Sequence, residues 1–229
     1  NVGSLGFLLA FSYAGEKMFF AQNYSDDIPS LVLINLKPEF INKKILESFK
    51  HNYYQGKGFS ISFGDKEFTP KLYTAHYGKF SLAAKGEEYK ILILNSNGKI
   101  IREISKNIKR SRMSSKERER FANEIRAEKK YSTAVKEGII NIIPYKKNII
   151  GGLAISDKYI LVERIKDDVS DMEAPGSVDV YDLNGKFLGE LKMKHFPLLM
   201  TDSHIYTKEK DEDENLIAVK YVYKLNLAK

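Results

Sequence analysis

The stretch Tyr89-Lys-Ile-Leu-Ile-Leu-Asn-Ser-Asn-Gly-Lys-Ile-Ile-Arg-Glu-Ile104 returns in altered form as Ser177-Val-Asp-Val-Tyr-Asp-Leu-Asn-Gly-Lys-Phe-Leu-Gly-Glu-Leu191. In each stretch, two runs rich in aliphatic residues flank an Asn-Gly pair. Asn and Gly both tolerate the positive φ that a twisted two-residue turn demands. The two stretches therefore each predict an antiparallel hairpin.

Two further segments are partial copies of this hairpin. In Leu31-Val-Leu-Ile-Asn-Leu-Lys-Pro-Glu-Phe-Ile41, Pro38 stands where the other copies have a glycine-type turn. Residues 216–225 contain one strand of the pair before the chain ends. The hairpin is therefore predicted to belong to a repeat.

The strands upstream of each hairpin repeat as well. Each pair consists of two aliphatic and aromatic runs with a tight turn between them, a pattern typical of paired strands. The pairs are residues 8–21, 71–83, 151–162 and 195–208. Each unit is then a four-stranded meander of about 40 residues plus insertions, as in the blades of a β-propeller.

The predicted fold is therefore all-β, a single β-propeller domain or part of one, spanning residues 1–229. Its four units lie at about 5–48, 58–107, 148–194 and 195–229. A β-sandwich, in which hairpins recur without rotational repeat, is the alternative. The matched order of turns in consecutive units favours the propeller, because a Greek key would interrupt the meander.

A helical insertion is predicted at residues 108–137, with one helix near residues 114–135. Ser114 and Glu117 have capping-box spacing, and the run that follows lacks Pro and contains no Gly before the predicted helix end. Residues 106–130 contain ten Lys or Arg and four Asp or Glu, which accounts for most of the net charge of +7. We interpret this as a solvated helix with ion pairs, the alternative being a surface for an anionic partner.

The ends of the chain suggest that blades are missing. Four units cut from a larger ring would leave exposed sheet edges. The last unit ends after its third strand, where a propeller receives its outermost strand from the N-terminus, and the chain begins with Asn1 rather than Met. We expect N-terminal residues to be missing, the alternatives being partner chains or a closed four-bladed ring.

The composition is that of a globular protein, with 43% hydrophobic and 29% charged residues among 229. No apolar run approaches the roughly 20 residues of a membrane-spanning helix. The absence of cysteine excludes disulfides and thiolate chemistry. Because the excess charge is confined to one insertion, nucleic acid is not the expected partner.

Two acidic segments are candidate cation sites. Asp211-Glu-Asp-Glu-Asn215 begins like a calcium loop, but Leu216 and Val222 occupy the positions that require Gly and a bidentate acid. The other segment contains Asp167, Asp168, Asp171 and Glu173. We interpret the first as a polar hairpin tip and the second as an acidic surface loop.

No residue is predicted to be catalytic, cofactor-binding or metal-ligating. The four histidines are His51, His76, His195 and His204, and they lack the close spacing of a zinc site. His76 lies in an inner-type strand and could face a central channel. Gly56-Lys-Gly58 lacks the context of a dinucleotide loop, and no Gly-x-Ser-x-Gly elbow occurs.

Several segments resemble the C-terminal half of six-bladed β-propeller proteins related to the TolB and NHL-repeat propellers. The resemblance lies in Ser111-Arg-Met-Ser-Ser-Lys-Glu-Arg-Glu-Arg120, residues 148–164, residues 178–189 and the ending from Ile205 to Tyr223, and covers residues 89–225. It implies about four of six blades in this chain. It further implies a bacterial envelope protein, periplasmic or secreted. The family's Trp-containing strand is replaced here by Asp157-Lys-Tyr-Ile-Leu-Val162, and no catalytic residue carries over.

Two functions follow as hypotheses. The first is a noncatalytic binding or scaffolding module with a protein or small ligand as partner, because the repeat comes without a catalytic constellation. The alternative is a metal-dependent hydrolase resembling propeller lactonases, with Glu, Asp and Asn ligands at the central channel.

Overall fold

A computed structural model describes the backbone of six strands between residues 8 and 62, and the chain from 72 to 223 except residues 130, 144 and 167–175. Side chains are described from residue 73 onward, with the same gaps. Over these residues the chain forms seventeen strands and two helices.

The strands form four larger sheets and one small hairpin. The first sheet contains β1 (Leu8–Ala14), β2 (Glu16–Asn23), β3 (Ser30–Lys37) and β4 (Phe40–Ser48), and the hairpin contains β5 (Tyr53–Gly56) and β6 (Phe59–Ser62). The second sheet contains β7 (Leu72–Tyr77), β8 (Phe80–Lys85), β9 (Lys90–Leu94) and β10 (Ile100–Ser105). The third contains β11 (Ile150–Ile155), β12 (Tyr159–Arg164), β13 (Gly176–Asp182) and β14 (Phe187–Met193). The last contains β15 (Leu199–Met200), β16 (His204–Lys210) and β17 (Leu216–Val222).

Every described strand pairs antiparallel with its neighbour in the sequence. Each sheet is therefore a meander without a crossover, and the prediction of an all-β protein is confirmed. The hairpin β5–β6 was not predicted. It lies within the predicted unit 58–107 and its N-terminal flank, ahead of the second sheet, which begins at Leu72, close to the predicted strand start at residue 71.

The first strands of successive sheets lie side by side. β1 contacts β7, β7 contacts β11, and β11 contacts β15. At the end of β7, the Tyr77 hydroxyl donates a 2.5 Å hydrogen bond to Asp202, in the turn that follows β15. The sheets are thus joined through their first strands.

The third sheet is buried on both faces, because alternate residues of a strand point to opposite sides. Ile160 and Val162 of β12 join a core shared with the second sheet, whereas Leu161 joins a core shared with the last sheet. All three side chains are at most 2% exposed. Burying one such side chain contributes roughly 1.5–3 kcal/mol, so this sheet holds its two neighbours together.

The hairpin turns differ from the predicted two-residue type. Gly98 and Gly185 have φ of 69° and 77°, and each backbone N–H donates a 2.9 Å bond to the carbonyl three residues back, at Asn95 and Asp182. The asparagine before each glycine does not have positive φ. This is a type I turn followed by a left-handed glycine, which needs positive φ at one residue only.

The same turn occurs a third time with glutamate in the glycine position. Glu214 N–H donates to the Asp211 carbonyl at 3.1 Å, and Glu214 has φ of 62°. It is the one described residue other than glycine with positive φ. A left-handed residue with a Cβ is strained, so the turn between β16 and β17 contains a conformational strain that the two glycine turns lack.

The helical insertion contains two helices, α1 (Ser115–Ala127) and α2 (Thr133–Asn141). The predicted capping box is confirmed: Glu117 N–H donates to Ser114 Oγ at 3.2 Å, and Ser114 N–H donates to the Glu117 carboxylate at 2.8 Å. The prediction of one helix over residues 114–135 is wrong, because Glu128 has an extended backbone and Ser132 caps a new helix. No helix in the described part of the chain combines the length and apolarity needed to cross a membrane.

The break between the helices allows the insertion to form a small core of its own. Phe121 and Ala122 of α1 pack with Ile139 and Ile140 of α2 and with Ile143. The apolar stripe on α1 is too thin to form a core by itself. Folding back of α2 supplies the missing apolar partner.

Candidate functional site

A cavity of about 450 Å³, here called the inner cavity, lies where the first strands of the second and third sheets begin. Its walls come from Tyr73 and Thr74 of β7, from residues 151–153 of β11, and from residues 194–198 between β14 and β15. Three successive sheets therefore contribute to one cavity. Its volume lies within the range of small-ligand pockets.

Two glycines form one wall of the inner cavity. The pairing of β11 with β12 shifts between Ile150 and Gly152, so Gly151 is the extra residue of a bulge. A methyl group at Gly152 would lie 2.8 Å from the Phe196 ring and 2.9 Å from Glu163 Oε2. Only glycine lets the ring and the carboxylate approach the backbone so closely.

Ionisable side chains of both signs line the inner cavity. Glu163 supplies a carboxylate, and Lys194, His195 and Lys208 supply nitrogen donors. His195 Nε2 lies 3.9 Å from a carboxylate oxygen of Glu209. Such a lining can hold a polar ligand by accepting hydrogen bonds at Glu163 and donating them from the lysines.

Glu209 supports the cationic side of this cavity. Thr207 donates a hydrogen bond to its carboxylate at 2.5 Å, and Tyr221 donates one at 2.7 Å. These bonds lower the pKa of Glu209, and nearby His195 and Lys194 lower it further. Glu209 therefore stays negatively charged beside the His195 imidazole.

A buried polar cluster joins the second and third sheets around Asp179, whose side chain is 2% exposed. Lys106 Nζ lies 2.8 Å from one carboxylate oxygen, which also accepts from the Tyr89 hydroxyl, and Arg164 Nε lies 3.4 Å from the other. Burial and the bond to Asp179 raise the pKa of Tyr89. Burial tends to lower the pKa of Lys106, but bonds to Asp179 and Tyr181 outweigh it, and the pKa is raised. Both groups thus stay protonated and hold the carboxylate between the sheets.

The histidines singled out in the sequence lie in different surroundings. His76 Nδ1 lies 2.9 Å from Ser81 Oγ, and burial lowers the pKa of His76 to about 4, so its ring is neutral near pH 7. His195 lines the inner cavity, and His204 Nδ1 lies 2.8 Å from Ser203 Oγ. His51 lies outside the residues whose structure is described.

The two acidic segments have different outcomes. In the segment from Asp211 to Asn215, Asp211 Oδ1 accepts from the backbone N–H groups of Asp213 at 3.0 Å and Asn215 at 2.8 Å, so its carboxylate stabilises the turn. The acids at positions 167, 168, 171 and 173 lie outside the described residues, as do positions 57 and 58 of the rejected glycine motif. Over the described part of the chain, no three His, Asp or Glu residues are grouped so that they could hold a metal.

Sequence reasoning missed the inner cavity, including Glu163 and Phe196. The available signal was the Gly151-Gly152 pair at the start of a predicted strand, because glycine inside a strand often marks a bulge or a close approach. Nothing in the sequence indicates that Phe196, some forty residues on, covers this pair.

Comparisons with known proteins provide no functional assignment. No protein-family description matches the sequence, and no curated protein matches it. Among solved structures, the chain is similar to an uncharacterised protein from Listeria monocytogenes EGD-e. That similarity has a TM-score of 0.20 and 8% identity over 90% of this chain and 73% of the other, and carries no argument about fold or function.

Proposed function

We propose that the protein is a noncatalytic β-propeller module that binds a small polar ligand in the inner cavity. The observation that carries the proposal is the cavity itself, which is built by three successive sheets and lined by a carboxylate and several nitrogen donors. A ligand with both hydrogen-bond donors and an anionic or hydroxyl group matches this lining.

The propeller fold is supported by the relation between the first strands. β7 and β11 begin at the inner cavity, and Leu198, just before β15, also lines it. At the other end, Tyr77 after β7 bonds Asp202 after β15. The three first strands thus run side by side in one direction, as inner strands do around a propeller axis. A ring of six blades, with four in this chain, remains our proposal.

The alternative of a metal-dependent hydrolase receives less support. Such a site needs about three protein ligands around one ion. The inner cavity contains Glu163 and His195 among its lining residues, and no cluster of three candidate ligands occurs in the part of the chain with described side chains. A binding site is therefore the better fit to these residues.

The proposal is tested by screening amino acids, small carboxylic acids and sugars for ligands that raise the melting temperature. We expect a compound that stabilises the wild type and loses most of its effect in Glu163→Gln and Lys208→Gln. The matched control is Lys186→Gln, because Lys186 lies on a hairpin turn outside the cavity. Equal stabilisation of all variants by every active compound would contradict binding in the inner cavity, and turnover of a compound would favour the enzyme.

A further inference from the structure

A second cavity, of about 300 Å³, opens between the third sheet and the segments that flank the helical insertion, and its lining is strongly basic. We call it the basic cavity. Lys109, Arg164, Lys166 and Lys192 line it together with Ser111 and Ser177, and none of its described lining residues is Asp or Glu. Four cations around one small space repel one another unless an anion lies among them.

One wall of the basic cavity is held in place by a hydrogen-bonded network. Lys192 Nζ donates to Ser177 Oγ at 2.7 Å and lies 3.0 Å from Glu190 Oε1. Ser177 Oγ donates to Glu190 at 2.7 Å, and Arg164 pairs with the same carboxylate. The positions of Arg164 and Lys192 are therefore set before any ligand arrives, which lowers the entropic cost of binding.

The carboxylates behind this wall do not balance its charge. Hydrogen bonds from Ser177 and Lys192 lower the pKa of Glu190, so it remains charged, but it faces both Arg164 and Lys192. Asp179 faces both Arg164 and Lys106. Each carboxylate is shared by two cations, so among the described residues of this wall the positive charges outnumber the negative ones.

The segment after β10 provides an uncommitted cation to the same cavity. Lys109 is exposed, and no hydrogen bond or ion pair joins it to the residues that the structure describes. Its side chain can therefore turn toward a ligand without breaking an existing contact. Lysine on a flexible stem suits this role, because its ammonium acts as a movable point charge.

We propose that the basic cavity binds a small oxyanion of the phosphate type, either inorganic phosphate or the phosphate group of a small metabolite. Guanidinium N–H groups of Arg164 and the Ser111 hydroxyl match the several acceptor oxygens of a phosphate, and the lysines match its charge. The volume is at the lower end of ligand pockets, which favours a compact group. This site is separate from the inner cavity, and the two cavities have no described lining residue in common.

The test is isothermal titration of the full chain with inorganic phosphate, with chloride adjusted to hold ionic strength constant. We expect saturable binding at one site. The Lys109→Gln/Lys192→Gln double variant should bind at least about tenfold more weakly, since it loses two charge-assisted contacts. Lys99→Gln/Lys186→Gln removes the same charge from two hairpin turns and should leave the affinity unchanged.

Two results would overturn the proposal: no saturable phosphate binding to the wild type, or equal weakening in both double variants, which would indicate nonspecific charge attraction. The single variant Lys109→Gln is the control for misfolding. It should fold normally, because no hydrogen bond or ion pair joins Lys109 to the residues that the structure describes. Titration with a sugar phosphate then identifies the source of the anion: tighter binding than inorganic phosphate points to a phosphorylated metabolite, and weaker binding to the free ion.

Discussion

Glu163 and Arg164 are consecutive residues of β12, yet they line different cavities. The pleat of a strand turns successive side chains to opposite faces of the sheet. Glu163 therefore lies over the Gly151-Gly152 bulge, and Arg164 lies against Asp179 between the second and third sheets. The end of one strand thus separates the inner cavity from the basic cavity.

Replacing Glu214 by glycine should stabilise the protein. Glu214 has φ of 62°, and a left-handed residue with a Cβ costs about 1–2 kcal/mol. Part of this gain is offset, because glycine loses more conformational entropy on folding. We expect the free energy of unfolding in urea to rise by about 1 kcal/mol.

The matched change is Gly185→Ala, which places a Cβ at φ of 77° in the equivalent turn, 3.1 Å from Ile104. It should lower the free energy of unfolding. The ion pair of Glu214 with Lys210 is long and exposed, so its loss is not expected to matter. A loss of stability in Glu214→Gly would contradict this account of the turn.

Gly152→Ala should disturb the inner cavity. A methyl group there would lie 2.8 Å from the Phe196 ring, and overpacking of this kind typically costs about 1–3 kcal/mol. We expect a lower melting temperature and weaker binding of any inner-cavity ligand. Gly176→Ala is the control, because its nearest neighbour would be 3.7 Å away and should be tolerated. Equal stability of both variants would show that Phe196 moves aside freely.

His76 should make the protein less stable in mild acid. Burial lowers the pKa of His76 from 6.5 to about 4, so between these values the unfolded chain binds a proton that the folded chain excludes. Stability is therefore lost as the pH falls through this window, by up to about 3 kcal/mol from this residue.

Urea unfolding at pH 7 and pH 4.5 measures this effect in wild type and variants. His76→Phe should show a smaller loss between the two pH values. Ser81→Ala removes the 2.9 Å contact to His76 but keeps the imidazole, so it should retain the loss. The same pH dependence in wild type and His76→Phe would assign it to other groups.

Asp179→Asn should destabilise the contact between the second and third sheets. It leaves Lys106 and Arg164 without the carboxylate that they share. Removing one member of a buried ion pair lowers the free energy of unfolding by about 3–5 kcal/mol. Because Lys106 is partly exposed to water, we expect the decrease in the free energy of unfolding to lie near the lower end of this range. Tyr89→Phe removes the hydrogen bonds of its hydroxyl with Asp179 and Tyr181 and should cost about 1–3 kcal/mol. A smaller loss for Asp179→Asn than for Tyr89→Phe, in urea unfolding, would contradict the role of Asp179.

Much of the local structure could be predicted because it depends on neighbouring residues. Alternating apolar runs predicted the antiparallel strands, and the spacing of Ser114 and Glu117 predicted a helix start that the structure confirms. The turn type was wrong because the Asn-Gly pair is compatible with both a two-residue turn and a type I turn with a left-handed glycine. The register of the flanking strands decides between them.

Other features depend on residues far apart in the chain, and the sequence could not indicate them. Ile139 and Ile140 pack on Phe121 only because the chain leaves the helix at Glu128 and returns. Likewise, His195 was considered as a separate histidine, and its place beside Glu209 and the cavity follows from the path between β14 and β15.

The sequence by itself determined that the chain forms antiparallel meanders with a helical insertion, since strand period, turn residues and caps act over a few residues. Only the tertiary structure decided which charged side chains line the two cavities. Glu163 and Phe196 meet over Gly152 because a bulge and a covering segment converge there, and Arg164 and Lys109 line one cavity because the segment after β10 packs beside the third sheet. Burial and through-space electrostatics depend on such distances, which no local pattern encodes.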